Sequence, residues 1–450
     1  MSDFTFPSHF LWGTATSSHQ VEGHNTNNDW WAAEQEGQTV YQGQRSGAAC
    51  DWWNNAEDDF DRMIEMNLNT HRLSIEWSRV QPAPRRWDEA ALARYRHMIS
   101  ALKARGIEPM VTLHHFTNPL WMVRQGGWES EHSIEWFVRY VKKVVGALKD
   151  QVSLWCTINE PNVMVGQGWL AGIWPPGKQD HMAAIEASLN LARAHAAAYH
   201  AIHEIIPEAQ VGIAKHIVTW DPRLAWLPTD HAVARLINYV TNHLFLDAIT
   251  QGKVKLPFLR PIPIKGGQNS LDWLGINYYQ RYRVGFTIKH ALRLLFPQIA
   301  SDWFYQGTKP GHPKGPSGWG EFHPPGLLWT LENLSRYGVP IYVTENGIPS
   351  NRDELRQSFL VSHIHQIWKA IQRGVSVKGY YHWSLLDNFE WAQGYNPEFK
   401  FGLIGVNFET QAREPRPSSS LYGRICKMNA ISAETATTFT PQLLSKLFHG

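Results

Sequence analysis

Eight short apolar runs, rich in β-branched and aromatic residues, punctuate this 450-residue chain at 10–14, 71–77, 108–114, 152–159, 210–218, 273–279, 340–345 and 377–383. Longer segments with helical spacing lie between them. Over 90–105, Leu92, Tyr95, Ile99 and Leu102 share one helical face, and Gly106 supplies a stop. The Ala-rich stretch 182–206 puts Ile185, Leu189, Ala192, Ala196, Tyr199 and Ile202 on one side. Segments 331–337 and 353–373 read as helices closed by Gly338 and Gly374. Strands that are apolar on both faces belong in a parallel sheet covered by helices. Eight unbroken strand–helix pairs predict an α/β fold: a (β/α)8 TIM barrel with long loops at the carboxyl ends of its strands. A doubly wound open sheet is the alternative, but no GxGxxG follows any run, so a dinucleotide site has no support. Pro/Gly-rich stretches at 175–177, 257–267 and 309–326 bring no shift in composition, so 1–450 is expected to form a single catalytic domain.

Composition narrows the partners. Lys plus Arg number 42 and Asp plus Glu 40, a net charge of +2 with no basic block, so neither nucleic acid nor a membrane surface is expected as a partner. The N-terminal stretch lacks a basic region and an apolar core of signal-peptide length, and no run approaches a membrane span of about 18 apolar residues. Cys50, Cys156 and Cys426 are widely spaced and outside any CxxC pattern, which argues for a reducing, cytoplasmic compartment and against a disulfide frame or zinc ribbon. Twenty-two tryptophans suit either a Trp-rich core or a cleft for something both apolar and hydroxylated.

In a barrel of this kind the chemistry sits where the strands end. The first run is followed by Gln20 and Glu22; the second carries Arg72 and ends at Glu76-Trp77; the third ends His114-His115-Phe116. The fourth ends Asn159-Glu160, the sixth Asn277-Tyr278-Tyr279, the seventh Glu345-Asn346 and the eighth at Trp383. Two carboxylates, Glu160 and Glu345, thus cap the fourth and seventh strands, on opposite sides of an eight-stranded barrel. Either alone is as well explained by an ion pair with a nearby Arg. Together they match glycosidic bond cleavage, which needs one carboxylic acid and one carboxylate facing each other.

Four segments carry a resemblance. FLWGTATSSHQVEG at 10–23, TINEPN at 157–162, YVTENG at 342–347 and HWSLLDNFEW at 382–391 are similar, in that order, to the signatures of glycoside hydrolase family 1. This is the β-glucosidase and β-galactosidase family of retaining enzymes. The resemblance implies Glu160 as general acid/base and Glu345 as nucleophile. It also implies Gln20, His115, Asn159, Glu390 and Trp391 as holders of the sugar hydroxyls, with Trp383 as stacking platform. Arg72, Asn277 and Tyr279 would orient the nucleophile. The residue chemistry agrees: amides and imidazole suit hydroxyls, and Arg with a Tyr hydroxyl keeps a carboxylate ionised.

The expected activity is exo-hydrolysis of β-D-glucosides, with β-D-galactosides and β-D-fucosides accepted, through a covalent glycosyl-enzyme and without cofactor or metal. The expected partner is a small β-glycoside or oligosaccharide. A transglycosidase using the same intermediate and a binding-only pseudoenzyme are the alternatives. Glu390 stands where relatives acting on 6-phosphosugars carry Ser, Lys and Tyr, and would repel phosphate, so an unphosphorylated sugar is favoured. Glu160 stands where glucosinolate-cleaving relatives carry Gln. Departures from the family pattern are Phe116, Thr117, Lys400 and Asn407, in place of the commoner Trp, Asp, Arg and Asp. The aromatic stretch 284–320, with Trp303, Phe304, Tyr305 and Trp319, reads either as a wall of the aglycone side or as a surface loop packed on itself. His363 and His365 sit at i, i+2 of a helical pattern and point to different faces, against a metal site; Cys156 reads as a small core residue.

Overall fold

All eight apolar runs are strands in the computed structural model, which describes residues 3–37, 39–255, 260–286, 305–308, 315–316 and 319–448. They are β1 (Leu11–Ala15), β2 (Thr70–Ser74), β3 (Glu108–His114), β4 (Leu154–Asn159), β5 (Gln210–Pro222), β6 (Trp273–Gly285), β7 (Ile341–Asn346) and β8 (Val377–Trp383). Each pairs in parallel with the next, and β8 closes onto β1 through Gly379↔Leu11 to Trp383↔Ala15. The result is a closed eight-stranded parallel barrel, the architecture expected from the alternation. Strands β5 and β6 overrun their expected ends at 218 and 279 because they remain paired above the mouth, from Thr219↔Arg281 to Pro222↔Val284. Those extra residues mix polar and apolar side chains and left no apolar run.

Helices α1 (Trp52–Glu65), α2 (Glu89–Ala104), α3 (His132–Leu148), α4 (His181–Ile205), α5 (Leu244–Gln251), α6 (Pro324–Leu334), α7 (Asp353–Gln372) and α8 (Pro417–Met428) alternate with the strands. Their boundaries follow local chemistry. Asp88 caps α2 by accepting from the Ala91 amide at 2.9 Å, Leu92, Tyr95, Ile99 and Leu102 are its buried face, and Gly106 leaves it at φ +72°. Asp180 caps α4 through the Met182 and Ala183 amides. Helix α6 starts seven residues before the expected 331, with Pro324 and Pro325 in its first turn, where a missing N–H costs nothing.

Two cores result from the alternation of strand side chains. Met110, Leu154, Cys156, Ala214, Trp273 and Tyr381 fill the barrel interior. Val111, Leu113, Trp155, Val211, Leu274 and Val343 face outward into one large cluster with the helices. Every residue of β4 is buried, which is why its run reads as continuously apolar. Each fully buried aliphatic contributes about 1.5–3 kcal/mol, so both faces hold the strand ends in place. Cys50, Cys156 and Cys426 are free and buried. Among the described residues, no helix is long and apolar enough to cross a membrane.

Candidate active site

A cavity of about 440 Å³ opens at the carboxyl ends of the strands and is lined by both Glu160 and Glu345. The two side chains rise from β4 and β7 and are nearly buried, at 6% and 3% exposure. Glu160 directly follows β4 and holds a left-handed backbone, φ +44°, as do Phe116 at +72° and Trp391 at +51° on the same cavity wall. Non-glycine residues adopt this region at an energetic cost, which the surrounding packing must meet.

Arg72 organises the floor. From β2 its three N–H groups reach Thr112 Oγ1 at 3.0 Å, Glu345 Oε1 at 2.5 Å and Asn159 Oδ1 at 2.6 Å. Tyr279 donates its hydroxyl to the other Glu345 oxygen at 2.6 Å. Asn277 donates to Glu160 Oε1 at 2.7 Å and Asn159 Oδ1 at 3.1 Å, and its own Oδ1 accepts from Thr344 at 2.7 Å. Four hydrogen bonds therefore run unbroken from one carboxylate to the other, through Arg72, Asn159 and Asn277.

The electrostatics separate the two acids. Burial, followed by repulsion from Glu345, pushes the Glu160 carboxyl up to about 8. Burial also raises Glu345, but the Arg72 guanidinium and the Tyr279 hydroxyl pull it back toward the ionised form. The first proton to leave the pair thus leaves Glu345. Burial holds His115 well below the usual imidazole range, so it is neutral. Its Nε2 lies 3.1 Å from the Asn159 amide and accepts from it, which puts the ring hydrogen on Nδ1, an atom without a partner among the described residues. The ring stacks with both Trp383 and Trp391, each centred 6.0 Å away.

Glu390 lines the cavity with one oxygen, Oε1, unpartnered among the described residues, and burial raises its carboxyl well above the ordinary range. Gln20 does not itself line the cavity but reaches Glu390, which does. It is fully buried behind Glu390, with its amide nitrogen bonded to Asn388 Oδ1 and Phe389 O at 2.9 Å each and to Glu390 Oε2 at 3.5 Å. The other expected site residues line the cavity or bond directly to those that do.

Residues 2–431 match the family model described as Glycosyl hydrolase family 1. The chain belongs to glycosyl hydrolase family 1. It is therefore a glycoside hydrolase of the retaining β-glycosidase kind. Family 1 relatives include Beta-glucosidase A of Thermotoga maritima, 33% identical over 95% of this chain and 98% of that protein. A Beta-galactosidase of Pyrococcus woesei is 32% identical over 95% and 98%. Among solved family 1 structures, a beta-glycosidase from Pyrococcus horikoshii superposes with a TM-score of 0.89 at 38% identity, covering 97% of this chain and 98% of that one. The Thermotoga maritima beta-glucosidase in complex with glucoimidazole gives 0.87 at 32%, covering 95% and 99%.

The departures from the family 1 pattern find local substitutes. Thr117 donates to Glu76 Oε2 at 2.9 Å, and Phe116 packs edge-on against Trp174 and Trp391. Asn407 Oδ1 accepts the Glu409 and Thr410 amides at 3.0 Å, a task an Asp would share. The Lys400 side chain is not needed for the bonds its carbonyl makes to Ser350 and Arg356. Trp319 lines the cavity against Tyr279 and Phe401, in favour of the wall reading; Trp303 and Phe304 lie outside the described residues, as does the Tyr305 side chain. His363 and His365 do point apart, one bonded to Phe359 O and the other stacked on Trp368.

Cavity residues that sequence reasoning missed include Trp174, His216, Gln280 and Phe399. His216 carried a readable signal. With Lys215 before it, it is one of two ionisable residues near the end of the fifth run, level with Asn277 across the β5–β6 pair. Trp174 and Phe399 come from loops, where no periodicity points to the cavity.

Proposed function

We propose that this protein hydrolyses unphosphorylated β-D-glucosides, and with them β-D-galactosides and β-D-fucosides, from the non-reducing end, with residues 1–450 acting as one catalytic unit. The observation that carries the reading is the pair itself: in one cavity, Glu345 is held toward ionisation by Arg72 and Tyr279, while Glu160 is pushed up to about 8. Glu345 attacks the anomeric carbon as the bond to the aglycone oxygen breaks, and Glu160 gives that oxygen its proton. Esterification removes the charge that had repelled Glu160, which then ionises more readily and takes a proton from the attacking water. The water oxygen bonds to the anomeric carbon from the side the aglycone left, and Glu345 departs as carboxylate. Configuration is retained.

Around the sugar, His115, Asn159, Glu390 and Trp391 meet hydroxyls, Trp383 offers its face, and Gln20 acts by holding Glu390. Asn277 holds Glu160 as well as belonging to the nucleophile's surroundings. The Glu390 oxygen without a partner among the described residues suits a hydroxyl donor. Both carboxylates being in place disfavours a binding-only role. The three free, buried cysteines support a reducing, cytoplasmic setting. The test is covalent capture. An activated 2-deoxy-2-fluoro-β-glucoside should inactivate the enzyme, and peptide mass spectrometry should find the sugar on Glu345. Labelling elsewhere, or undiminished release of nitrophenol by Glu345→Gln, would reject the assignment.

A further inference from the structure

One buried cation lies outside the hydrogen-bond chain that joins the two catalytic acids. Lys215 stands on the barrel portion of β5, between Ala214, whose side chain fills the barrel, and His216, which lines the cavity. Alternation turns it the other way, onto the outer face with Ile213 and Ile217, where it is fully buried under the helices. Its ammonium donates to His216 O at 3.0 Å and to Thr241 O. Thr241 belongs to a widened π-turn, Tyr239–His243, through which the helix Pro228–Asn238 runs into α5. Both acceptors are carbonyls, so among the described residues no bonded carboxylate offsets the charge. Burying an ammonium this way is expensive, and an apolar side chain would fill the same place without that cost.

The His216 carbonyl also accepts from Asn162 Nδ2 at 3.3 Å, and Asn162 lies two residues past Glu160. One oxygen thus ties the Lys215 ammonium to the turn that carries the acid. The Glu160 amide closes the link from the other side, donating to Ala214 O at 2.8 Å. Among the described residues, Glu160 is accordingly the carboxylate that acts on Lys215. Burial pushes the ammonium down to about 7 and Glu160 draws it back up, while Arg72 and Lys215 both favour the ionised form of Glu160. The other titratable groups beside Lys215 are His216 and, at the end of the π-turn, His243, with Arg336 bonded to His243. Burial pushes these two imidazoles down to about 3 and about 4, so both are neutral.

We propose that Lys215 is a positioning residue for the second half of the reaction: its buried ammonium, tied to the turn behind Glu160, supplies the counter-charge that keeps Glu160 ionised while it activates water. The inference rests on the reading of Glu160 as acid/base. The two half-reactions differ in what the cation can do. In the free enzyme Lys215 and Glu160 titrate close together, at about 7 and about 8, so the charge on Lys215 fades as Glu160 begins to ionise. In the glycosyl-enzyme Glu345 is an uncharged ester, Glu160 ionises at lower pH, and Lys215 is fully charged there. Removing the cation therefore raises the pH at which the catalytic base forms.

The test follows the second step alone. An activated 2-deoxy-2-fluoro-β-glucoside traps the glycosyl-enzyme, excess reagent is removed, and the rate at which activity returns is measured from about pH 4 to 8. In wild type this rate should rise with pH to a plateau as Glu160 ionises. In Lys215→Met, which fills the place without charge, the midpoint should move up by about one pH unit, so that reactivation on the acid side falls about tenfold while the plateau changes far less. Lys215→Gln keeps a donor for the carbonyls and should show the same shift, which separates the charge from the hydrogen bond. A midpoint within about 0.3 pH units of wild type in either variant overturns the proposal, and so does an equal loss of rate at every pH, the mark of a lysine that only supports the fold. Wild type gives a reading that needs no variant to fold: with 13C-labelled lysine, the Lys215 Cε signal should titrate at higher pH in the trapped enzyme than in the free one, and an unmoved titration also overturns the proposal. Failure to trap a sugar on Glu345 would defeat the proposed function itself; trapping with an unmoved midpoint refutes the role of Lys215 alone.

Discussion

The raised Glu160 carboxyl has a consequence for stability that can be measured apart from catalysis. In the unfolded chain this group titrates near 4.5, and in the folded protein burial and Glu345 push it up to about 8. Between those values the folded state binds the proton more tightly than the unfolded state, so stability falls as pH rises through the window. The penalty is absent below about 4.5 and complete above about 8. A difference of about 3.5 pH units at 1.36 kcal/mol each gives about 5 kcal/mol. Glu160→Gln keeps the shape, cannot ionise and escapes the penalty. For a 450-residue chain, an unfolding entropy of about 2.1 cal/mol/K per residue converts 5 kcal/mol into roughly 5 °C. Scanning calorimetry of both proteins from pH 4.5 to 9 should show the variant's melting temperature gaining about 5 °C on wild type, the gain developing mostly between pH 5 and 8. In wild type the alkaline limb of kcat/KM should fall near pH 8, where the proton donor is lost. A gap that stays flat across that range would refute the reasoning, whatever the variant's activity.

Tyr279→Phe removes a 2.6 Å donor that favours ionised Glu345, so the acid limb of kcat/KM should move to higher pH and kcat should drop by about 100-fold; an unmoved limb in the pH profile contradicts this. Arg72→Met leaves Glu345 buried without its cation and should cost about 3–5 kcal/mol, read from denaturant unfolding, with turnover nearly abolished; a loss below about 1 kcal/mol counts against the pairing. Gly347→Ala would set a Cβ only 1.9 Å from the Trp383 carbonyl, so the segment carrying the platform must shift. We expect a destabilisation of about 1–3 kcal/mol together with a rise in KM for glucosides, and an unchanged KM would show that the shift spares the platform.

The barrel was readable because its strands are buried on both faces. Runs such as 108–114 and 377–383 coincide residue for residue with β3 and β8, since all but Glu108 and Lys378 of these strands are buried. The catalytic pair was readable for a related reason: Glu160 and Glu345 stand at the carboxyl ends of apolar strands, where a barrel of this kind carries its chemistry. What escaped is what alternation cannot encode. The upper parts of β5 and β6 form a ribbon above the mouth, with polar and apolar residues mixed, so the reading stopped at 218 and 279 and missed Gln280.

The left-handed backbones at Phe116, Glu160 and Trp391 were equally invisible, because none is a glycine and nothing in the residue type announces them. All three directly follow residues whose side chains the site holds: His115 bonded to Asn159 and stacked on two indoles, Asn159 bonded to Arg72 at 2.6 Å, and Glu390 within 3.5 Å of the Gln20 amide. The anchored neighbour sets where the chain must turn, and the next residue takes the strained conformation as a result. The same backbone occurs outside the site, at Asp51, Asn269 and Gln411 among others, but at these three positions it lines the cavity. It becomes visible only once strands distant in sequence have brought the anchors together.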